Sequence, residues 1–418
     1  MFLTQTNVIR GLSKKQYACL REMCQYSNNL YNVALYNIRQ YFFNEKKFLN
    51  YESNYHYCKM NENYGLLQAG IAQQTLKIAD RSFKSFFFNL IKKCKAGDYR
   101  YHDVKIPHYR KKGGCFNLIL STNAIHIKNG MIFIPMSHEF AKAHDIKSIQ
   151  IPFPERLADR KIKEVRVLPN YDGTYFKIQY CYETATKEPA SNNGIMGIDI
   201  GVDNLASCIT DNGTSFLMDG RKLKSINRYW NKQKAYYQSI SDHQNQKWTH
   251  RMDALTRKRN NRTKDIMRKS ARYIVNHCID NGIGTIVVGY NPDFKRGSDL
   301  GRRNNQNFVQ ISFGDFRQIL ASLCEQEGIL YVEQEESYTS KSSFLDNDPI
   351  PKFDVEHPYI EKFSGKRVLR GLYCSADGTC VNADINGAAN IIRKSSQNFR
   401  MEGLRSGLLA SPQRIRVS

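Results

Sequence analysis

No stretch of this chain approaches the run of about 20 apolar residues that a membrane-crossing helix needs. Residues 1–10 also lack the apolar segment of a secretion leader. Both absences argue against a membrane or secreted protein, and a cytoplasmic location without a membrane partner is expected. The cysteines number eleven and follow no repeating spacing. An odd count scattered through a long chain without a leader does not make a disulfide framework, so reduced thiols are expected. There is no internal repeat and no low-complexity tract. Acid is scarce: 39 Asp and Glu stand against 62 Lys and Arg, which leaves a formal charge of +23 and a pI near 9.5.

A surplus that large repels itself in a compact state unless something anionic neutralises it. A polyphosphate does so favourably, because each neutralised phosphate releases condensed counterions. Nucleic acid is therefore the leading partner class, with a solvated basic surface as the plainer alternative. The aromatic fraction of 12%, including 25 Tyr, suits base stacking, although most such rings serve cores. At 418 residues and 41% hydrophobic, the chain is expected to build two or three cores.

Residues 13–43 read as a helix capped by Ser13, with Leu20, Cys24, Tyr31, Leu35, Ile38 and Phe42 at three-to-four-residue steps. A second helix is expected over 66–91, with Leu76, Ala79, Phe83, Phe87 and Leu90 on one stripe, and a loop or short helix over 50–64. Beyond residue 105 the period falls to two. Asn129-Gly130 and Asp172-Gly173 each sit between alternating apolar segments, the signature of tight hairpins. A small barrel or curled sheet is expected over roughly 100–185, followed by a polar linker at 187–193.

Buried strands then read at 195–200, 205–210 and 215–218, joined tightly enough to be an antiparallel meander. Basic helices follow at 221–240 and 253–281, then strand 285–289, helix 313–327, strand 329–333 and a short helix at 383–393. A meander followed by alternating helices and strands fits the ribonuclease-H-like α/β topology. Residues 395–418 read as a loosely ordered basic tail.

Two motifs place acids where apolar residues would be ordinary. Gly197-Ile198-Asp199-Ile200-Gly201-Val202-Asp203 sets Asp199 in a buried strand, where a bare charge is costly. Asn382-Ala383-Asp384-Ile385-Asn386-Gly387-Ala388-Ala389 opens a helix on Asp384, whose small residues allow close packing against a sheet. Each acid alone also reads as a turn or helix cap. Together, 185 residues apart, they suit hard divalent ions, which take oxygen ligands and few carboxylates. Two such ions roughly 3.5–4 Å apart activate a water and stabilise a leaving oxygen.

These two motifs resemble the first and third RuvC motifs of TnpB, an insertion-sequence accessory protein similar to type V CRISPR effectors. Leu30-Tyr31-Asn32, the segment 34–39, the stretch 73–87 ending in Phe86-Phe87, Lys105-Ile106-Pro107 and the segment 307–311 resemble the same family. The resemblance implies an α+β multidomain protein. Residues 1–12 with 98–186 would form a β-barrel wedge domain, into which residues 13–97 insert a helical recognition lobe. Residues 194–394 would be a RuvC-like nuclease, with a basic helical insertion at about 221–282 and a lid or degenerate zinc ribbon at about 337–381. It further implies Mg²⁺ (two ions, with Mn²⁺ as substitute), a guide RNA from the element's end, and double-stranded target DNA bearing a short flanking motif. A separate transposase is a further possible partner.

Two departures from the family stand out. The strand that usually carries the second RuvC acid reads Val288-Gly289-Tyr290, without a carboxylate. The neighbouring strand ends in Glu335-Glu336-Ser337-Tyr338-Thr339-Ser340, and a branch of the family carries its glutamate there; Glu336 is favoured, with Glu335 as the fallback. Asp293 and Asp299 are weaker substitutes. The zinc-ribbon positions read Ser343, Asp346, Cys374 and Asp377, and one thiol of four cannot make a structural zinc site, so no zinc is expected.

Arg257, Lys258, Arg259, Arg262, Lys264, Arg268, Lys269 and Arg272 crowd one helix and would track a phosphate backbone, as would Arg302, Arg303 and the stretch 108–112. By resemblance, Tyr51 and Gln73 are candidates for the flanking motif. The reading is an RNA-guided DNA endonuclease whose Asp199, Glu336 and Asp384 hold the metal. Its rivals are a nuclease-inactive RNA-guided binding protein or repressor, favoured by Gly289, and a transposase that itself joins DNA.

Overall fold

The structure, a computed structural model, describes residues 1–97, 100, 104–189, 193–291, 311–354, 359–395 and 409–417. The chain forms two units, Met1–Ala185 and Thr186–Ser418. Arg302, Arg303, Asp293 and Asp299 lie outside the described residues.

In the first unit, β1 (Phe2–Val8) precedes the long helix α1 (Lys14–Glu45). Ser13 accepts from the Gln16 N–H while Gln16 reaches back to the Ser13 N–H, a reciprocal cap that fixes the helix start. Short helices α2 (Tyr51–Cys58) and α3 (Glu62–Gly65) follow. The expected second helix begins at α4 (Ala69–Lys84), widens into a π-helical turn at Ser85–Leu90 and ends as α5 (Ile91–Lys95). Leu20, Leu35 and Ile38 of α1 and Ile71, Leu76 and Phe83 of α4 share one buried core, and Phe42 meets Phe83, Phe86 and Phe87 edge-on. The π turn thus keeps the adjacent Phe86 and Phe87 rings against that core, while Phe88 is exposed.

The strands of this unit are β2 (Leu118–Ser121), β3 (His126–Lys128), β4 (Met131–Ile134), β5 (Ile149–Pro152), β6 (Ile162–Asn170) and β7 (Tyr175–Glu183), with α6 (His138–Ala143) between β4 and β5. Asn129 and Gly130 have φ of 51° and 69°, the backbone a two-residue primed turn requires. The strands make two open sheets, β1-β7-β6-β2 and β3-β4-β5. The expected barrel is not seen: among the described residues no ladder joins the two sheets. β1 and β2 remain as edges, because β6 and β7 pair with each other and take one further partner each.

The second unit holds a six-stranded sheet of order β12-β11-β8-β9-β10-β16. β8 (Gly194–Asp199), β9 (Asn204–Thr210) and β10 (Ser215–Asp219) form the expected antiparallel meander. Helices α7 (Arg221–His243) and α8 (His250–Asp280) lead to β11 (Ile283–Tyr290), parallel to β8. Helix α9 (Phe313–Glu327) leads to β12 (Leu330–Glu335), parallel to β11. A small sheet of β13 (Lys366–Leu369), β14 (Leu372–Cys374) and β15 (Cys380–Asn382) precedes helix α10 (Ala383–Ser395).

Two expectations are corrected here. The 395–418 tail is not wholly loose: β16 (Gln413–Ile415) adds a parallel strand to β10, and Leu409 is fully buried. The apolar Ile415 packs on the core, which offsets the entropy of ordering the end. Nor are all thiols reduced. Cys374 and Cys380 form a disulfide, because the β14–β15 register sets them directly opposite; nine other cysteines are free.

The period-two alternation of β8 divides the unit. Met196 and Ile198 enter one core with α7, α8 and α9, whereas Ile195 lies with the residues of α10. Gly197 sits where α10 crosses closest: a Cβ there would stand 2.4 Å from the Ala388 carbonyl oxygen and 2.5 Å from Ile392. Gly197→Ala should therefore push α10 off the sheet and destabilise the protein by about 1–3 kcal/mol. Urea denaturation checks this, and an unchanged midpoint would show that the helix yields freely.

Candidate active site

Asp199 is the last residue of β8, and Asp384 lies in the first turn of α10. They meet because Gly387 has no side chain: a Cβ at that position would stand 2.8 Å from an Asp199 carboxylate oxygen. The parallel ladder ends with Val288 beside Ile198, which places Gly289 level with Asp199. Glu336 follows the end of β12, and a Cβ on Gly289 would be 2.7 Å from its Oε2. The missing carboxylate of β11 and the extra one after β12 are thus linked: the space a side chain at 289 would take holds the Glu336 carboxylate.

Glu335 is held elsewhere. The nearly buried Lys394 pairs with it at 2.7 Å and also donates to the Ser337 and Pro351 carbonyls. Burial alone would raise the Glu335 carboxyl, but hydrogen bonds from Lys394 and Ser337 bring it below its usual value. Glu336 is shifted upward, first by burial and then by the charge on Glu335. Asp199 lies well above the carboxylate range because of burial, reinforced by Glu336 and Asp384 and opposed by Arg367. Among the described residues neither Asp199 nor Glu336 has an ion-pair partner. Asp384 accepts from Asn204 at 2.7 Å and pairs with Arg367 at 3.2 Å.

Asp199 and Asp384 line an open cleft of about 430 Å³, with Arg221, Arg367, Arg370 and Arg414 around them. Asp203, from the same motif as Asp199, is tied to Lys224 and Arg370, and the Lys224 hydrogen bond draws its carboxyl down. Among the described residues no three Asp, Glu, His or Cys side chains close into a finished metal cage. The donor set nevertheless suits a hard cation. It is all oxygen, and a bound cation would offset both the burial and the neighbouring charges that raise Asp199.

The expected ribbon positions are close but differently joined. Asp346 accepts from Ser343 Oγ and from the Ala376 N–H at 3.1 Å; Asp377 accepts from Ser375 Oγ. Behind them, Asn386 and Asn390 of α10 donate to the carbonyls of Thr339 and Ser342, clamping the loop that follows Glu336. Asn204, Asn386, Asn390 and Arg414 were not singled out by sequence. Asn386 lies inside the second acid motif, and Asn204 and Asn390 each lie one residue beyond a motif, a position that could have found them. Arg414 has none, because β16 brings it in from the far end of the chain to donate to Asn204.

Of the α8 cations, Lys258, Arg262, Lys264, Arg268 and Lys269 are exposed, and Arg257, Arg259 and Arg272 are half-buried. Arg272 pairs with Glu327 and Lys269 with Asp265, whereas Arg259 donates to Asn227. In the first unit, Tyr51 lies under Lys77 and beside Tyr55; Gln73 bonds to Tyr64, whose hydroxyl is pushed up to about 12, mainly by burial. Tyr55 and Tyr64 pack edge-on, so Tyr51 and Gln73 belong to one polar-aromatic cluster.

Comparison with known proteins gives a consistent picture. Residues 179–294 match the OrfB_IS605 family, described as a probable transposase, and residues 313–391 match the Cas12f1-like TNB domain. A TnpB-like protein of Acidianus two-tailed virus is 24% identical, over 94% of this chain and 86% of the relative. A putative transposase of Paramecium bursaria Chlorella virus 1 is 23% identical, over 78% and 68%. A Cas12f1 solved with sgRNA and target DNA aligns with a TM-score of 0.60 at 16% identity, over 91% of this chain and 83% of that one. The mini-RNA-guided endonuclease Cas_phi3 aligns at 0.53 and 8% identity, over 94% and 92%. At such identities the solved structures share the mixed α/β multidomain fold.

The raised Asp199 carboxyl has a testable consequence in metal-free protein. An acid whose folded pKa exceeds its unfolded value binds more protons when folded, so stability falls as pH rises through that interval. Asp199→Asn removes the penalty. In EDTA the variant should match wild type near pH 4 and be the more stable of the two at pH 8. Equal pH profiles in thermal denaturation would mean that Asp199 is not strained by its neighbours.

Proposed function

We propose that this chain, which belongs to the TnpB family, is an RNA-guided, Mg²⁺-dependent DNA endonuclease. The observation that carries the reading is the gathering of Asp199, Glu336 and Asp384 at one end of the sheet, from three separate elements. Those carboxylates would hold two Mg²⁺ ions, or Mn²⁺ in their place; the metal would supply an activated water and stabilise the leaving oxygen. The remaining work falls to the chain's own residues. Asn204 orients Asp384, Lys394 keeps Glu335 turned away, and Arg367 and Arg370 draw a phosphodiester into the cleft.

The guide would be an RNA from the element's end, and the target double-stranded DNA with a short flanking motif. That Cas12f1 was solved with sgRNA and target DNA supports these partners. Guide pairing would read sequence, while the α8 cations hold backbone. Tyr51 and Gln73 would contact the flanking motif. Residues 1–12 with 98–186 would act as wedge and 13–97 as recognition lobe, in a cytoplasmic protein that acts beside a separate transposase. No helix among the described residues is long and apolar enough to cross a membrane.

A second reading, an RNA-guided binding protein without nuclease activity, is favoured by the bare Gly289 and by the absence of a closed acid cluster among the described residues. Plasmid cleavage by the purified protein–RNA complex with Mg²⁺ separates the two. Asp199→Ala and Glu336→Ala should each lower cleavage by roughly 100-fold or more. Glu335→Ala should stay within about tenfold, as for a residue that only orients another. Wild-type protein that binds its target without cutting would establish the binding-only reading.

A further inference from the structure

A second polar cleft opens where α7, α8 and the start of α9 meet. It encloses about 280 Å³ and is lined by Asn227, Arg259, Thr263, Lys264, Ser312 and Asp315 among others. Asn227 is completely buried, and among the described residues its Nδ2 has no hydrogen-bond partner. A buried amide N–H without a partner is uncommon in native folds, and each case asks for an explanation such as an absent ligand. The other end of this side chain is fully engaged. Its Oδ1 accepts from Arg259 Nε at 2.7 Å, which leaves the amide nitrogen as the unsatisfied atom.

The surroundings are rich in donors. Arg259 lies over the Trp230 ring and also donates to Asn260, so its guanidinium is held in one place. Lys264 is exposed one turn further along α8. Ser312 stands at the N-cap of α9 without a side-chain capping bond, so the first turn of a fifteen-residue helix opens on the cleft. Such a terminus favours negative charge. Asp315 is the carboxylate of this lining. Two cations against one carboxylate leave a net charge of +1, which matches a singly charged phosphodiester better than a dianionic phosphate.

We infer that this cleft seats one phosphodiester of a bound polynucleotide, with the Asn227 amide, Arg259 and Lys264 donating to its oxygens. The inference rests on the reading that the partner is nucleic acid, but not on cleavage. It sets Lys264 and Arg259 apart from Lys269 and Arg272 of the same helix, which pair with carboxylates.

Full-length protein in EDTA, titrated over a range of salt with single-stranded RNA and with duplex DNA, tests it without any cutting. Asn227→Asp keeps an acceptor for Arg259 and replaces the donor with a second oxygen. It should leave the thermal midpoint of the free protein unchanged or higher, yet weaken binding several-fold. Lys264→Gln, at an exposed position, should do likewise. Each should flatten the plot of log K against log salt by about 0.7 for RNA or 0.9 for duplex DNA, the loss of one phosphate contact. An effect confined to one probe assigns the site to that strand, and an effect on both supports a site either can fill. Folded variants with unchanged affinity and slope for both probes would overturn the inference, even for a protein that cuts normally. Conversely, a protein that never cuts can still show the effect.

Discussion

Repulsion among carboxylates at the end of an apolar sheet is the constraint around which the second unit is organised. Asp199, Glu336 and Asp384 come from β8, the end of β12 and the start of α10. No single element brings them together, and their like charges oppose the assembly. What holds them is packing around residues that have little or no side chain. Gly197 lets α10 lie directly on β8, Gly387 leaves room for the Asp199 carboxylate, and Gly289 leaves room for Glu336. The Asn386 and Asn390 amides then tie the loop after Glu336 to the same helix, so the acids are anchored to one another through α10.

The charges nearby are distributed to match. Asp203 is held by Lys224 and Arg370, Asp219 by Arg221 and Arg416, and Glu335 by Lys394. Those acids are neutralised within the fold. Asp199 and Glu336 are not, among the described residues, and Asp384 has only the rather long contact to Arg367. An uncompensated pair of carboxylates at the end of a sheet is an electrostatic cost that a bound cation would relieve.

The small sheet is joined to its surroundings by carboxylates and closed by one disulfide. Asp346 bridges the 343–348 turn to the hairpin at Ala376, Asp348 accepts from the Ser343 and Ser364 N–H groups, and the Cys374–Cys380 bond closes β14 onto β15. Hydrogen bonds to carboxylates thereby join the 343–348 turn to Ser364 and to the hairpin. Arg367 and Arg370 are carried by this sheet, so its rigidity bears on how steadily they face the cleft.

Hydrophobic periodicity was enough to locate α1, the β8–β10 meander, α8, β11, α9 and α10, because each contributes a regular apolar stripe or alternation to a core. It also drew attention to Asp199 and Asp384, which the structure places side by side, since an acid inside an apolar pattern is conspicuous. The barrel was misjudged because hairpins look alike whether or not their sheet closes. The disulfide was missed because its spacing acquires meaning only in the β14–β15 register. By itself, then, the order of residues determined the elements, the basic surplus and the acids. Tertiary structure alone decided which glutamate faces Asp199, that Arg414 returns to Asn204, and that the Asn227 amide has no partner among the described residues. Those outcomes depend on which distant segments become neighbours, and local pattern carries no record of such contacts.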